Sequence, residues 1–252
     1  MPVVKITPDI IRQMKSREPI AALTAYDYSM AKLLDRCGVP LLLVGDSLGM
    51  IALGLPDTTG VTMEDMLHHT RAAARAQPRA LLAADLPAGS YATPEAALAN
   101  ARRLMESGAE AVKAEGGLSI DAQVRAIVAD GIPFLGHLGM LPQNVQAEGG
   151  YKIKGRSAEE QSALRADAAA LVDAGAFGIV LELVEAELAA ELTSTLTIPT
   201  IGIASGTGCD GQILVTTDLW ATSPDFIPRH AQPNKQVKLE MEKTIENWMN
   251  QL

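Results

Sequence analysis

The chain has 252 residues, 48% of them apolar, with 21 basic against 30 acidic side chains and a formal charge of −9. That is enough for one large core, and a single domain over residues 1–252 is the expectation because α/β barrels commonly run undivided at this length. An acidic balance without a basic block argues against a nucleic-acid partner, and apolar runs well short of the roughly 20 residues needed to cross a bilayer argue against a membrane role.

The first turn of structure is expected at Pro8–Ser16, a short helix ahead of the first strand that can cover one end of a barrel. Eight apolar runs follow as candidate strands: Ile20–Ala25, Leu41–Asp46, Leu81–Leu86, Ala111–Glu115, Pro133–His137, Gly178–Leu183, Pro199–Ile203 and Gln212–Thr216. Continuous apolar runs of this length suit strands covered on both faces. Helix-sized segments separate most of them. Several of these end at a glycine just before the next strand, at Gly38, Gly108, Gly131 and Gly175, where a left-handed residue turns the chain back to the sheet.

Helix starts are equally legible. Thr62 with Asp65 and Ser157 with Glu160 have capping-box spacing, and Thr93 precedes Pro94 as an N-cap precedes a first-turn proline. Eight strands alternating with helices favour an α/β (β/α)8 TIM barrel over a doubly wound sheet. The segments Gly54–Gly60 and His137–Gly155 follow strand ends and should overhang the active face. A final helix at about 236–251 carries Val237, Met241, Ile245 and Trp248 as a stripe at steps of three and four. Its partner is either the barrel or another subunit.

Four runs end in an acid: Asp46, Asp85, Glu115 and Glu182. Carboxylates at the C-terminal ends of parallel strands lie where such proteins gather their chemistry. Asp46 and Asp85 are the leading metal-ligand candidates, since two hard oxygen donors with open positions suit Mg²⁺, and Glu115 could hold a metal-bound water. The alternative is that each aspartate merely caps the following helix. Lys113 lies two residues before Glu115 and so faces the same side. If that side is inward, the amine needs a carboxylate partner or an anionic ligand.

His137 is the only histidine at an expected strand end, suited either to contacting a substrate oxygen or to a hydrogen-bonded structural role. His68 and His69 fall within a helix and His230 in a Pro-rich tail, where packing or solvated roles are expected. Glu182, set among Val180, Leu181, Leu183 and Val184, has surroundings that raise a carboxyl pKa towards neutrality, as a proton acceptor requires; a salt bridge is the alternative. The turn Gly202–Gly206 is a weak anion-binding signal without a phosphate-loop lysine. Cys37 and Cys209 form no Cys-x-x-Cys pair, and the N-terminus lacks a long apolar leader, so a cytoplasmic location is expected.

Seven segments in order, Thr24–Asp27, Val44–Gly49, Ala84–Pro87, Val112–Gly117, Gly136–Gly139, Gly149–Lys152 and Asp210–Gln212, together resemble the ketopantoate hydroxymethyltransferase family. The resemblance implies a Mg²⁺-binding (β/α)8 barrel that moves a hydroxymethyl group from 5,10-methylenetetrahydrofolate to 3-methyl-2-oxobutanoate. It also implies metal ligation by Asp46 and Asp85, with Glu115 direct or through water. Ser47 and Lys113 are implied to contact the 2-keto acid, with His137 a nearby polar contact and Glu182 the catalytic proton acceptor. A homo-oligomer is implied, a decamer being one form. Leu141 stands where the family often has threonine, and Ile203–Gly206 replaces a more glycine-rich turn. The nearest alternative is a Mg²⁺-dependent lyase or mutase of the phosphoenolpyruvate mutase type. That class carries a loop cysteine, and Cys209 lacks the corresponding context.

Overall fold

The computed structural model describes residues 4–224 and 226–252; Met1–Val3, part of the stretch expected to lack a leader, and Asp225 lie outside it. Eight parallel strands close into a barrel in sequence order. These are β1 (Ile20–Thr24), β2 (Leu41–Val44), β3 (Leu81–Asp85), β4 (Ala111–Glu115), β5 (Phe134–Gly139), β6 (Gly178–Glu182), β7 (Thr200–Ile203) and β8 (Gly211–Leu214). The helices are α1 (Pro8–Met14), α2 (Tyr28–Arg36), α3 (Leu48–Ile51), α4 (Met63–Ala74), α5 (Pro94–Glu106), α6 (Asp121–Ala129), α7 (Val145–Glu148), α8 (Ala158–Asp173), α9 (Ala186–Thr195), α10 (Thr216–Leu219) and α11 (Lys235–Met249).

The expected local signals act as anticipated. Thr62–Asp65 and Ser157–Glu160 form reciprocal capping boxes, and Thr93 caps a helix whose first residue is Pro94. Gly38 and Gly108 adopt φ of 82° and 100°, a region where a side chain is strained, so each helix stops there. Strand boundaries differ in detail. The strand expected to end at Asp46 stops at Val44, because backbone pairing ends before the apolar run does. The strand expected at Gln212–Thr216 starts at Gly211 and ends at Leu214, and Thr216 opens α10, its hydroxyl donating to the Thr24 carbonyl at 2.6 Å.

Two apolar layers follow from the period of two along each strand. The inner one stacks Ile20, Leu41, Leu43, Leu81, Ala83 and their counterparts, and it includes Ile11 and Met14 of α1. The N-terminal helix therefore plugs the lower end of the barrel. Complete burial of Ile11 alone stabilises by about 1.5–3 kcal/mol. The outer layer packs the other strand faces against the surrounding helices.

One sector of that outer layer is uncovered. Ala21 of β1 and Gln212 of β8 are exposed, whereas the outward residues Leu42, Leu82, Val112 and Ile179 are buried. The helix that would close this sector, α11, buries none of its residues, and Met241, Ile245 and Trp248 are 52%, 56% and 60% exposed. Of the stripe's two open partners, the barrel leaves Met241, Ile245 and Trp248 exposed, with Val237 half-buried.

Candidate active site

Strand register gathers the functional side chains at the C-terminal mouth. Asp85 is the register partner of Lys113, Glu115 of His137, and Gly139 of Glu182. Asp85, Lys113, Glu115 and His137 are all buried, and Glu182 is mostly so. Asp46 sits in the turn after β2, where its backbone N–H donates to Asp85 Oδ2 at 3.1 Å. Asp46, in the turn after β2, and Asp85, at the end of β3, are therefore neighbours.

Lys113 occupies the centre. Its ammonium lies 2.9 Å from Asp85 Oδ1 and 3.2 Å from His137 Nδ1. His137 approaches Glu115 Oε1 at 3.6 Å through Nδ1 and Glu182 Oε2 at 3.3 Å through Nε2. Ser47 accompanies Asp46 at the start of α3, and its hydroxyl meets that of buried Tyr26 at 2.8 Å.

Gln143, which carries no charge and gave no sequence signal, organises the rim. Its backbone N–H donates to Glu115 Oε2 at 3.0 Å, while its side-chain amide donates to Asp46 Oδ2 at 2.8 Å and the Leu86 carbonyl at 3.0 Å. Its amide oxygen accepts from Tyr91. The two overhanging loops are joined above the site, because Gln146 of α7 donates to Asp57 Oδ2 at 2.8 Å and to Thr59 Oγ1 at 3.2 Å.

Burial dominates the electrostatics. It raises Asp46 to about 7, assisted by the Asp85 charge and opposed by Lys113. Glu115 is pushed well above the usual carboxyl range by burial and then by Asp46. Glu182 rises to about 7 through burial, with Lys113 and His230 opposing. Burial and the Lys113 charge together push His137 well below its ordinary value, so the imidazole is neutral near pH 7. Burial works against the Lys113 charge, yet Asp85, Asp46 and Glu115 outweigh it and hold the amine as ammonium.

The donor set fits a hard divalent cation. Asp85 Oδ1 is buried and, despite its close ionic contact with Lys113, makes no aligned hydrogen bond. Buried polar atoms of this kind call for a further partner. Among the described residues no group of three or more His, Cys, Asp or Glu encloses a metal position. Asp46 and Asp85, brought together at the barrel mouth, would be the pair to hold such an ion.

Outside this cluster the expectations divide. Ser205 of the Gly202–Gly206 turn is fully buried, receives the Val184 N–H and donates to the Leu181 carbonyl, so the turn clamps β6 to β7. His69 packs through Nδ1 on the Tyr26 carbonyl at 2.7 Å. His230, expected as a solvated tail residue, is exposed but lines the active-site cavity. Tyr151 lines it as well, with its hydroxyl pushed up to about 12 by burial and the nearby Glu182 charge.

A closed parallel barrel whose upper mouth holds converging acids around one buried lysine defines a (β/α)8 enzyme. Among solved structures the fold is shared with phosphoenolpyruvate phosphomutase from Streptomyces platensis subsp. rosaceus (TM-score 0.64, 16% identity, covering 85% of this chain and 83% of that one). Sequence narrows the class. The family profile described as ketopantoate hydroxymethyltransferase matches residues 5–252, and the chain belongs to that family. The 3-methyl-2-oxobutanoate hydroxymethyltransferase of Dehalococcoides mccartyi (strain ATCC BAA-2266 / KCTC 15142 / 195) is 45% identical over 252 residues, covering 99% of this chain and 89% of that protein. The enzyme of the same name from Chloroflexus aurantiacus (strain ATCC 29366 / DSM 635 / J-10-fl) is 51% identical over 231 residues, covering 91% and 82%.

Proposed function

We propose that this chain transfers a hydroxymethyl group from 5,10-methylenetetrahydrofolate to 3-methyl-2-oxobutanoate, giving 2-dehydropantoate for pantothenate and coenzyme A synthesis. The observation that carries this is the meeting of Asp46 and Asp85 beside Lys113 in a chain of this family. The overall balance is keto acid plus methylenetetrahydrofolate plus water, giving 2-dehydropantoate plus tetrahydrofolate.

Asp46 and Asp85 would hold Mg²⁺, with Glu115 reaching it through water. When bound, the ion withdraws electron density from the keto group and makes the C3 proton more acidic. The chain's own residues do the rest. Lys113 and Ser47 orient the substrate carboxylate and keto oxygen, and the ammonium adds positive charge where negative charge develops. Glu182, raised to about 7, accepts the C3 proton in its ionised form. Neutral His137 fills the space between Lys113 and Glu182 and keeps their charges apart. The C3 carbon then bonds to the folate one-carbon unit beneath the joined loops as one of that unit's two C–N bonds breaks, and one admitted water replaces the second nitrogen to give the hydroxymethyl group and release tetrahydrofolate.

The protein is further proposed to act in the cytoplasm as a homo-oligomer. Support for association comes from the exposed stripe of α11 and the uncovered sector over β1 and β8. No described helix is long and apolar enough to cross a membrane.

The test of function is formation of 2-dehydropantoate from the keto acid, methylenetetrahydrofolate and Mg²⁺. Product that requires all three is expected. Absence of product with folate present would reject the proposal.

A further inference from the structure

The cavity that holds the acidic cluster continues outward to the segment after β8. It encloses about 520 Å³, within the range of about 300–1,000 Å³ typical of drug-sized ligands, and a five-carbon keto acid fills only its floor. The outer part is chemically unlike that floor. Phe226, Arg229 and His230 line it, and Phe226 is 74% exposed, an aromatic ring displayed at a cavity rim without a core to bury it.

The charges are sorted by depth. Asp46, Asp85, Glu115 and Glu182 line the inner part, where the one cation, Lys113, is already held by Asp85, and a further acid, Asp218, also lines the cavity and accepts from the Ser223 hydroxyl. Arg229 is the permanent cation of the rim, and among the described residues it forms no ion pair. The segment is anchored on both sides, by Ser223 donating to Asp218 and by the Asn234 N–H donating to the Leu219 carbonyl at 2.8 Å. In a chain of net charge −9 with an acidic floor, an anionic group on a second ligand is repelled inward and attracted at this rim.

We infer that Phe226 and Arg229 form a subsite for the benzoyl-glutamate portion of the folate co-substrate, the ring stacking on Phe226 and a glutamate carboxylate pairing with the Arg229 guanidinium. The inference rests on the transfer reaction proposed above. Arginine presents a planar fork matched to a carboxylate, and an aromatic face offers area at small entropic cost. The ligand would then lie across the mouth with its one-carbon end towards Glu182 and its anionic end towards solvent.

The test compares tetrahydrofolate with tetrahydropteroate, which lacks the glutamate, by calorimetric titration in the presence of 3-methyl-2-oxobutanoate and Mg²⁺. Wild-type protein should bind tetrahydrofolate about tenfold more tightly, as expected for one charge-assisted pair, with the preference shrinking as salt rises. Arg229→Gln should bring the ratio of the two dissociation constants to about one, and Arg229→Lys should keep part of it. Phe226→Ala should weaken both ligands by the same factor. A ratio that is unity in the wild type, or unchanged in Arg229→Gln, would overturn the subsite. The wild-type comparison needs no variant to fold. If product forms without any glutamate preference, the transfer reaction stands and the subsite falls; if no folate-dependent product forms, both fall.

Discussion

His137 Nδ1 lies 3.2 Å from the Lys113 ammonium while its Nε2 lies 3.3 Å from Glu182. An ammonium only donates, so this contact makes Nδ1 the acceptor and places the ring proton on Nε2, facing the carboxylate. The neutral imidazole thus separates a fixed positive charge from the acid proposed to take a proton. Burial raises Glu182 to about 7, and the Lys113 charge, one imidazole away, only partly offsets that rise.

Glu182→Gln removes the proton acceptor and keeps the shape. Hydrogen–deuterium exchange at C3 of 3-methyl-2-oxobutanoate should slow by roughly 10²–10⁴-fold, while binding of the keto acid with Mg²⁺ should change little. Exchange at the wild-type rate would exclude Glu182 from the step.

The pH dependence has a definite sign. A carboxyl raised to about 7 is protonated and inactive as a base below that value, so exchange should climb as pH rises through about 7 and then level off. An exchange profile flat from pH 5 to 8 would show that another group accepts the proton.

Asp85 and Lys113 form a pair with side-chain exposures of 2% and 5%, and removing one partner strands the other. Lys113→Met should cost about 3–5 kcal/mol and lower the melting temperature by on the order of 10 °C. The double variant Asp85→Asn with Lys113→Met should recover most of that stability while remaining inactive. Thermal unfolding with and without the second change checks it, and no recovery would mean that the pair is not the source of the loss.

Gln143 tests whether the rim sets the metal site. Gln143→Leu breaks the side-chain bonds to Asp46 and Leu86 and the one from Tyr91, leaving its backbone bond to Glu115. Affinity for Mn²⁺, read by paramagnetic resonance, should fall by about 10–100-fold, as for other groups that orient metal ligands. Unaltered affinity would make Gln143 a packing residue only.

If α11 packs on a second copy, charges on its stripe will disrupt association. Ile245→Glu with Trp248→Glu should reduce the mass measured by light scattering, without lowering the helix content of the barrel. An unchanged mass would place the interface elsewhere.

Much of the fold was legible because each strand is an apolar run and the helices between them are marked by Thr62, Thr93, Ser157 and the glycines that follow them. Boundaries slipped where apolar character outlasted backbone pairing, as at Asp46, or where a threonine left the strand to open a helix, as at Thr216. The charged half of the site was equally visible, since acids ending apolar runs are conspicuous. Gln143 escaped because an amide has no titration and no distinctive spacing, and its importance exists only when β2, β3 and the loop after β5 are brought together. The direction taken by α11 also lies beyond its pattern, since a stripe reports an apolar face and not what covers it. The segment Phe226–His230 has no periodicity that would place it over the mouth.

We propose that two neighbouring aspartates seat a divalent ion and that Glu182 then removes the C3 proton of a bound keto acid. Proton NMR of 3-methyl-2-oxobutanoate in D₂O, with the protein and without folate, tests it most directly. Loss of the C3 proton signal with Mg²⁺ present, abolished by EDTA and restored by added Mg²⁺, is the predicted result. Exchange indifferent to EDTA, or none with Mg²⁺ in excess, would contradict it.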